Sequence, residues 1–299
     1  GWDNEKKRRF SRIDYEAHFG KPIPQHAVGD LADFEAFAEK LTGALRRKVI
    51  KRVYHRGSTG YDQDAGLLKL EDGRLARRMR FFKSGAQDGP AVVLLDLPAP
   101  GDPFPTASTA QLRDELVAAG VHVAVVEPAG NPGPDAEKDT PERPWNHPHL
   151  HRMGAVVGHT LCSMRILDAL AAVEEVRKLE SVDPGRVFLV ARRELAVPAL
   201  YAGVVEDGVA GVGLIEPPDA HGPKQADATA LLHILRHADL VHSAGLLYPR
   251  RCAVFRAQAG EWSWTKALYE TLGTPNAFQF RRMGKERISA RQLLSGLGM

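Results

Sequence analysis

Short apolar runs alternate with amphipathic segments from residue 91 onward, and this alternation most constrains the fold. The runs AVVLLDLP from residue 91, VHVAVVEP from 121, RVFLVA from 186 and GVAGVGLIEP from 208 have the length and bounding residues of buried strands. RRCAVFRA from 250 and NAFQFRR from 276 continue the series. Strands that alternate with helices predict an α/β fold with a mostly parallel central sheet covered by helices on both faces.

Length and composition agree with one large domain. The 299 residues are 43% hydrophobic and 26% charged, and the formal net charge is +3. This composition is typical of a globular domain, and so mild a charge does not indicate a nucleic-acid partner. No apolar run reaches the roughly 18 residues that span a membrane. We expect an N-terminal arm over residues 1–34 and a single domain over 35–299; because the chain begins with Gly1 and not with Met, we expect a processed, tagged or excised segment.

The ends of the predicted strands should hold the functional site. In open parallel sheets, ligands bind in the crevice at the carboxyl ends of the strands. The loops after Leu97, Glu127, Val190, Ile215 and Ala257 are therefore the places to inspect.

One strand–turn–helix, RVFLVARRELAVPALYAG from residue 186, is the most informative segment. In one large enzyme class this unit carries Gly-x-Ser-x-Gly, with the nucleophilic serine at the apex. Here Arg193 stands at the serine position, and Ala191 and Leu195 stand where glycines allow a tight turn. We therefore expect a less tight turn. Arginine stays protonated and offers only hydrogen-bond donors, so it can neither attack a carbonyl nor accept a proton.

Four segments together resemble the α/β-hydrolase fold, and within it the acetyl xylan esterase-like branch of the carbohydrate esterases. They are GHTLCSMRILDALAAVEEV from residue 158, ESVDPGRVFLV from 180, ILRHADL with GLLYPRRCAVF from 234 to 255, and VVEPAGNPG from 125. The resemblance covers roughly residues 35–299 and rests on the order and spacing of these segments. It implies a triad in the chain order serine, acid, histidine.

The triad does not carry over to this sequence. The serine position falls on Arg193, the acid position falls on or near Gly260 beside Glu261, and no histidine follows His242. The resemblance thus implies a pseudoenzyme: a catalytically degenerate module with a structural, dimerising or ligand-binding role. Its expected partners are an active esterase module, a second copy of the chain, or a carbohydrate or anionic ligand. No cofactor is expected, and the family suggests export to the periplasm or beyond.

Candidate ligand-binding residues cluster at the turn and after the acid strand. Arg192, Arg193 and Glu194 would lie where a helix N-terminus favours anions. Alternatively, Arg193 forms an internal ion pair with Glu194, Glu216 or Glu261 and plugs the vacated pocket. Glu261 and Trp262 are further candidates; Trp262 either stacks on a sugar or anchors the packing of its helix.

Two other patterns leave an active enzyme open. VHSAG differs by one residue from a hydrolase elbow, so the alternative is a carboxylic-ester hydrolase with Ser243 as nucleophile; otherwise we expect a surface turn there. His147, His149 and His151 alternate in a proline-rich loop and could bind a metal, but nearby residues supply no second set of ligands. We predict no metal site.

Overall fold

The computed structural model describes residues 30–45, 58–70, 75–98, 102–130, 159–221, 229–257, 260, 262–282 and 287–299. The predicted arm over residues 1–34 lies almost wholly outside these ranges, so the division into an arm and a single domain stays a prediction.

Nine strands form one sheet. They are β1 (Ser58–Asp62), β2 (Leu67–Leu70), β3 (Leu75–Phe82), β4 (Gly89–Leu95), β5 (His122–Val126), β6 (Val182–Arg192), β7 (Val209–Ile215), β8 (Arg251–Phe255) and β9 (Phe278–Arg281). Their spatial order is β1-β2-β3-β5-β4-β6-β7-β8-β9. Pairing is antiparallel from β1 to β5 across β2 and β3, and parallel from β5 to β9. The predicted α/β fold with a mostly parallel sheet is confirmed.

Seven α-helices flank this sheet in the described part of the chain. They are α1 (Leu31–Ala44), α2 (Ala107–Ala118), α3 (Leu161–Val176), α4 (Ala196–Val205), α5 (Leu240–Gly245), α6 (Ser263–Thr271) and α7 (Ala290–Leu297). None of them combines the length and apolar character needed to cross a bilayer.

Strand alternation divides the apolar side chains between two cores. Successive residues of a strand point to opposite faces of the sheet. On β4, Val93 and Leu95 join the core under α3, α4 and α5, whereas Val92 and Leu94 join the core under α2 and α7. The central strands are therefore apolar at nearly every position, and polar chemistry is left to the residues that follow them.

Two further features of the fold are the composition of β1 and the burial of the two cysteines. The segment from Ser58 is rich in turn-forming residues, yet it forms β1, because pairing with Leu67–Leu70 outweighs this composition. Cys162 and Cys252 are buried free thiols, and burial raises the pKa of each to about 12.

Candidate functional site at the carboxyl edge of the sheet

Charged residues follow four neighbouring strands at the carboxyl edge of the sheet. Asp96 follows β4, Arg193 follows β6, Glu216 follows β7 and Arg256 follows β8. These strands are parallel neighbours in the order β4, β6, β7, β8, so their ends lie side by side. This is the edge at which the sequence predicted a site.

Arg193 occupies the apex of the turn between the central strand β6 and α4. A single 3₁₀ turn, Arg193–Leu195, joins the strand directly to the helix. The backbone φ of Arg193 is +54°, in the left-handed region that favours glycine. The expectation that the side chains of Ala191 and Leu195 would loosen this turn is wrong. Both side chains are accommodated in the core, and the unusual conformation falls on Arg193 itself.

Glu216 gathers the arginines of this edge around one carboxylate. Arg192 donates from Nε to Oε2 at 3.0 Å and from Nη2 to Oε1 at 3.3 Å, which is a two-pronged contact. Arg193 donates from Nε to Oε2 at 3.2 Å. Arg256 forms a further ion pair through Nη1 with Oε1. We call Arg192, Arg193, Glu216 and Arg256 the edge cluster.

The edge cluster is positively charged and partly open to solvent. Its three guanidinium groups against one carboxylate leave a net charge of +2. The Glu216 side chain is only 18% exposed, whereas that of Arg193 is 68% exposed. The predicted ion pair of Arg193 with Glu216 is confirmed, but the expected plug is wrong, because the exposed Arg193 side chain fills no pocket.

The surrounding arginines keep Glu216 ionised. Partial burial acts to raise the pKa of Glu216. The hydrogen bonds and charges of Arg192, Arg193 and Arg256 outweigh burial, and the pKa is lowered from its usual value. Glu216 is therefore a weak base at neutral pH.

Backbone strain coincides with this cluster. Arg193, Glu216 and Arg256 have φ values of +54°, +52° and +60°, each one residue past the end of its strand. A non-glycine residue in this region costs about 1–3 kcal/mol, and such residues concentrate at ligand sites. Three adjacent strands thus end in the same strained conformation, and each aims a charged side chain at the same point.

A cavity of about 270 Å³ opens beside the edge cluster. Its lining comes from the ends of β4, β6 and β7, from the first turns of α2, and from the residues before α7. The described lining residues are Leu94, Leu95, Ser108, Thr109, Leu112, Val190, Ala191, Arg192, Ile215, Arg256, Arg287 and Ile288. The cavity therefore combines apolar walls with three arginines.

Acidic residues hold two walls of the cavity in place. Glu115 forms an ion pair with Arg287 and accepts a hydrogen bond from the Ala290 N–H at 2.9 Å, which fixes the approach to α7. Asp96 accepts from the Thr106 N–H and from the Thr109 hydroxyl at 2.6 and 2.8 Å. Because Asp96 already occupies the start of α2, we place no anion at that helix terminus.

The remaining candidate residues, one from the turn and two from the segment before α6, lie in different places. Glu194 is half-buried, and its charge acts on Arg165, a fully buried guanidinium on α3. Trp262 is 1% exposed and belongs to the core, so it presents no ring face to a ligand in this structure. Glu261 lies outside the described residues.

Ser243 lies in the interior of the molecule. Its Oγ contacts the Tyr201 Oη at 3.0 Å, and that Oη contacts His221 Nε2 at 2.8 Å. VHSAG belongs to the helix α5, where all six residues are buried and Ser243 is 0% exposed. The expectation of a surface turn is wrong, because this helix packs into the core under the sheet.

Metal ligands are not grouped within the described ranges. No cluster of three or more histidine, cysteine, aspartate or glutamate side chains suited to a metal occurs there. His147, His149 and His151 lie outside those ranges.

Sequence reasoning missed two residues of the site. Arg256 directly follows β8, and its place at a strand end was the available signal. Arg287 lies far along the chain from its partner Glu115, at a separation of 172 residues, and no local pattern marks it.

Comparison with known proteins finds similar folds among solved structures. No family model and no curated protein matches the sequence. Among solved structures, a Bacteroides fragilis protein described as an acetyl xylan esterase superposes with a TM-score of 0.67 at 9% identity, covering 99% of this chain and 90% of its own. A glucuronoyl esterase from Solibacter usitatus gives 0.58 at 12% identity, covering 92% and 97%. A carbohydrate esterase family 15 glucuronoyl esterase from Caldicellulosiruptor kristjansonii gives 0.55 at 13%, covering 90% and 86%.

These likenesses confirm the predicted α/β-hydrolase-like fold and its resemblance to esterases of that fold. At such low identity they carry the fold alone.

Proposed function

We propose that this chain is an esterase-fold module that does not hydrolyse esters and whose carboxyl edge binds a ligand instead. The observation that carries the proposal is Arg193, which stands at the apex of the strand–turn–helix with a φ of +54° and an ion pair to Glu216. The strand–turn–helix has the form of a hydrolase elbow, but the side chain at its apex, that of Arg193, forms an ion pair. Such a module fits a role beside an active esterase partner.

The chemistry of the edge supports this proposal. Ester hydrolysis through a covalent intermediate needs a nucleophile within hydrogen-bond reach of a base. The residues after the central strands are Asp96, Arg193, Glu216 and Arg256; Asp96 accepts hydrogen bonds at the start of α2, and Glu216 is held ionised by three arginines. The Thr109 hydroxyl faces the cavity, but it serves Asp96 at the start of α2.

The alternative is an active carboxylic-ester hydrolase with Ser243 as nucleophile. One observation favours it: Ser243, Tyr201 and His221 form a continuous hydrogen-bonded chain. Its weakness is access, because all three side chains are buried and an ester carbonyl has to reach Ser243 Oγ.

Hydrolysis of 4-nitrophenyl acetate separates the two functions. We expect the full chain, Ser243→Ala and Arg193→Ser to release 4-nitrophenolate no faster than heat-unfolded protein at the same concentration. Arg193→Ser should stay inert because no histidine follows His242 in this sequence. Turnover by the full chain that Ser243→Ala abolishes would support the hydrolase instead.

A further inference from the structure

The lining of the cavity indicates what kind of molecule it can hold. Leu94, Val190, Ile215 and Ile288 give it an apolar interior, and its described lining contains no aromatic ring and no acidic side chain. Sugars bind through stacked rings and many hydrogen bonds, and this lining supplies only two hydroxyl groups, those of Ser108 and Thr109. The interior suits an aliphatic body better than a carbohydrate.

The positive charge on one side of the cavity indicates the polar group of the ligand. Arg192 and Arg256 line the cavity and also contact Glu216, where three guanidinium groups meet one carboxylate. Each guanidinium has five N–H donors, and two carboxylate oxygens cannot accept them all. The surplus of charge and of donors favours a carboxylate, which arginine binds in a two-pronged geometry.

We infer that the cavity binds a small aliphatic carboxylate, with its acid group at Arg192 and Arg256 and its chain against the apolar floor. A volume of about 270 Å³ lies just below the roughly 300–1,000 Å³ of pockets for drug-sized ligands, so the ligand is short. This inference rests on the proposed function, because an edge that does not hydrolyse esters can hold a carboxylate as its ligand.

Hexanoate is a suitable probe, and its matched controls separate charge from apolar contact. We expect sodium hexanoate to bind the full chain in calorimetry, more weakly as salt is added. 1-Hexanol, which lacks the charge, and inorganic phosphate, which lacks the chain, should each bind at least roughly tenfold more weakly, as expected when charged hydrogen bonds or apolar burial are lost.

Variants place the binding in the cavity. Arg256→Gln should weaken hexanoate at least roughly tenfold. Ser108→Trp, at an exposed position on the cavity wall, should block entry without removing an ion pair. Lys266→Gln removes the same charge on the distant α6, where Lys266 pairs only with Glu270 among the described residues, and should leave binding unchanged.

Distinct results overturn this inference. Equal affinity for hexanoate and 1-hexanol would show that the arginines do not contribute to binding. Undiminished hexanoate binding by both Arg256→Gln and Ser108→Trp would show that the ligand binds outside the cavity. Absence of hexanoate binding would overturn it as well. Each of these outcomes is separate from ester turnover, which alone contradicts the proposed function.

Discussion

An esterase site normally combines access to solvent with a nucleophile and a base. In this molecule two separate groups of polar side chains each have one of these properties. The edge cluster lies at the strand ends, beside a cavity, and holds only charged side chains. The chain of Ser243, Tyr201 and His221 has a hydroxyl nucleophile and an imidazole, but it is enclosed in the core. One region has access without a nucleophile, and the other has a nucleophile without access.

The difference teaches that residue types alone do not identify an active site. Buried hydroxyl groups need hydrogen-bond partners, so a buried serine that is linked to a histidine through a tyrosine can serve packing alone. The enclosed group holds α4, the loop at residue 221 and α5 together. The predictions below test the two regions separately.

The largest expected effect concerns pH and the enclosed region. Burial lowers the pKa of His221 from 6.5 to about 4, against the opposing charge of Asp239. As the pH falls from about 6.5 to 4, the unfolded chain binds a proton that the folded chain does not, so stability falls. We expect a loss of about 2 kcal/mol between pH 7 and pH 5 in urea unfolding, from 1.36 kcal/mol per pKa unit.

Matched histidine variants isolate this contribution. His221→Gln should reduce the loss of stability between pH 7 and pH 5 by about 2 kcal/mol, the contribution of His221 itself. His233→Asn, at an exposed position, should keep it. An unchanged pH dependence in His221→Gln would contradict the lowered pKa that burial gives His221.

The next effect concerns the charge balance of the edge cluster. Glu216→Gln leaves Arg192, Arg193 and Arg256 facing one another without a carboxylate, so we expect a loss of about 2 kcal/mol in urea unfolding at pH 7, the usual scale for hydrogen bonds to a charged group. Glu270→Gln removes an exposed carboxylate on α6 and should cost less than about 0.5 kcal/mol. Equal losses in the two variants would show that the edge cluster is not a connected unit.

The smallest effect concerns the strained turn. Arg193→Gly and Arg193→Ala both remove the ion pair with Glu216, but only glycine adopts a φ of +54° without steric cost. We expect Arg193→Gly to be more stable than Arg193→Ala by about 1 kcal/mol in thermal or urea unfolding. An alanine variant as stable as the glycine variant would contradict the left-handed conformation of this residue.

The sequence predicted the parallel half of the sheet well, because each central strand is a continuous apolar run between turn residues. It did not mark β1, because Ser58 and Gly60 are turn-forming residues that become part of a strand by pairing with β2. It also failed at VHSAG, because burial of a short helix depends on the sheet beneath it and not on its own pattern.

The site was predictable in place but not in composition. Strand ends pointed to the loop that begins with Glu216, but Arg256 was placed inside a predicted strand that ends at Ala257. That Glu216 joins Arg192, Arg193 and Arg256 depends on the register of three neighbouring strands, which a single sequence does not specify. Arg287 lines the cavity and forms an ion pair with Glu115 on α2, a residue far away in the sequence.

The central claim is that the cavity at the accessible edge is lined, among the described residues, by no histidine that could activate a hydroxyl, and that the buried Ser243 lacks access. Reaction of the full chain with a fluorophosphonate probe, read by intact mass and peptide mapping, tests both halves at once. We predict no stoichiometric adduct on any serine, in the full chain and in Ser243→Ala alike. A stoichiometric adduct on Ser243 that is absent from Ser243→Ala would contradict the account and identify an active hydrolase.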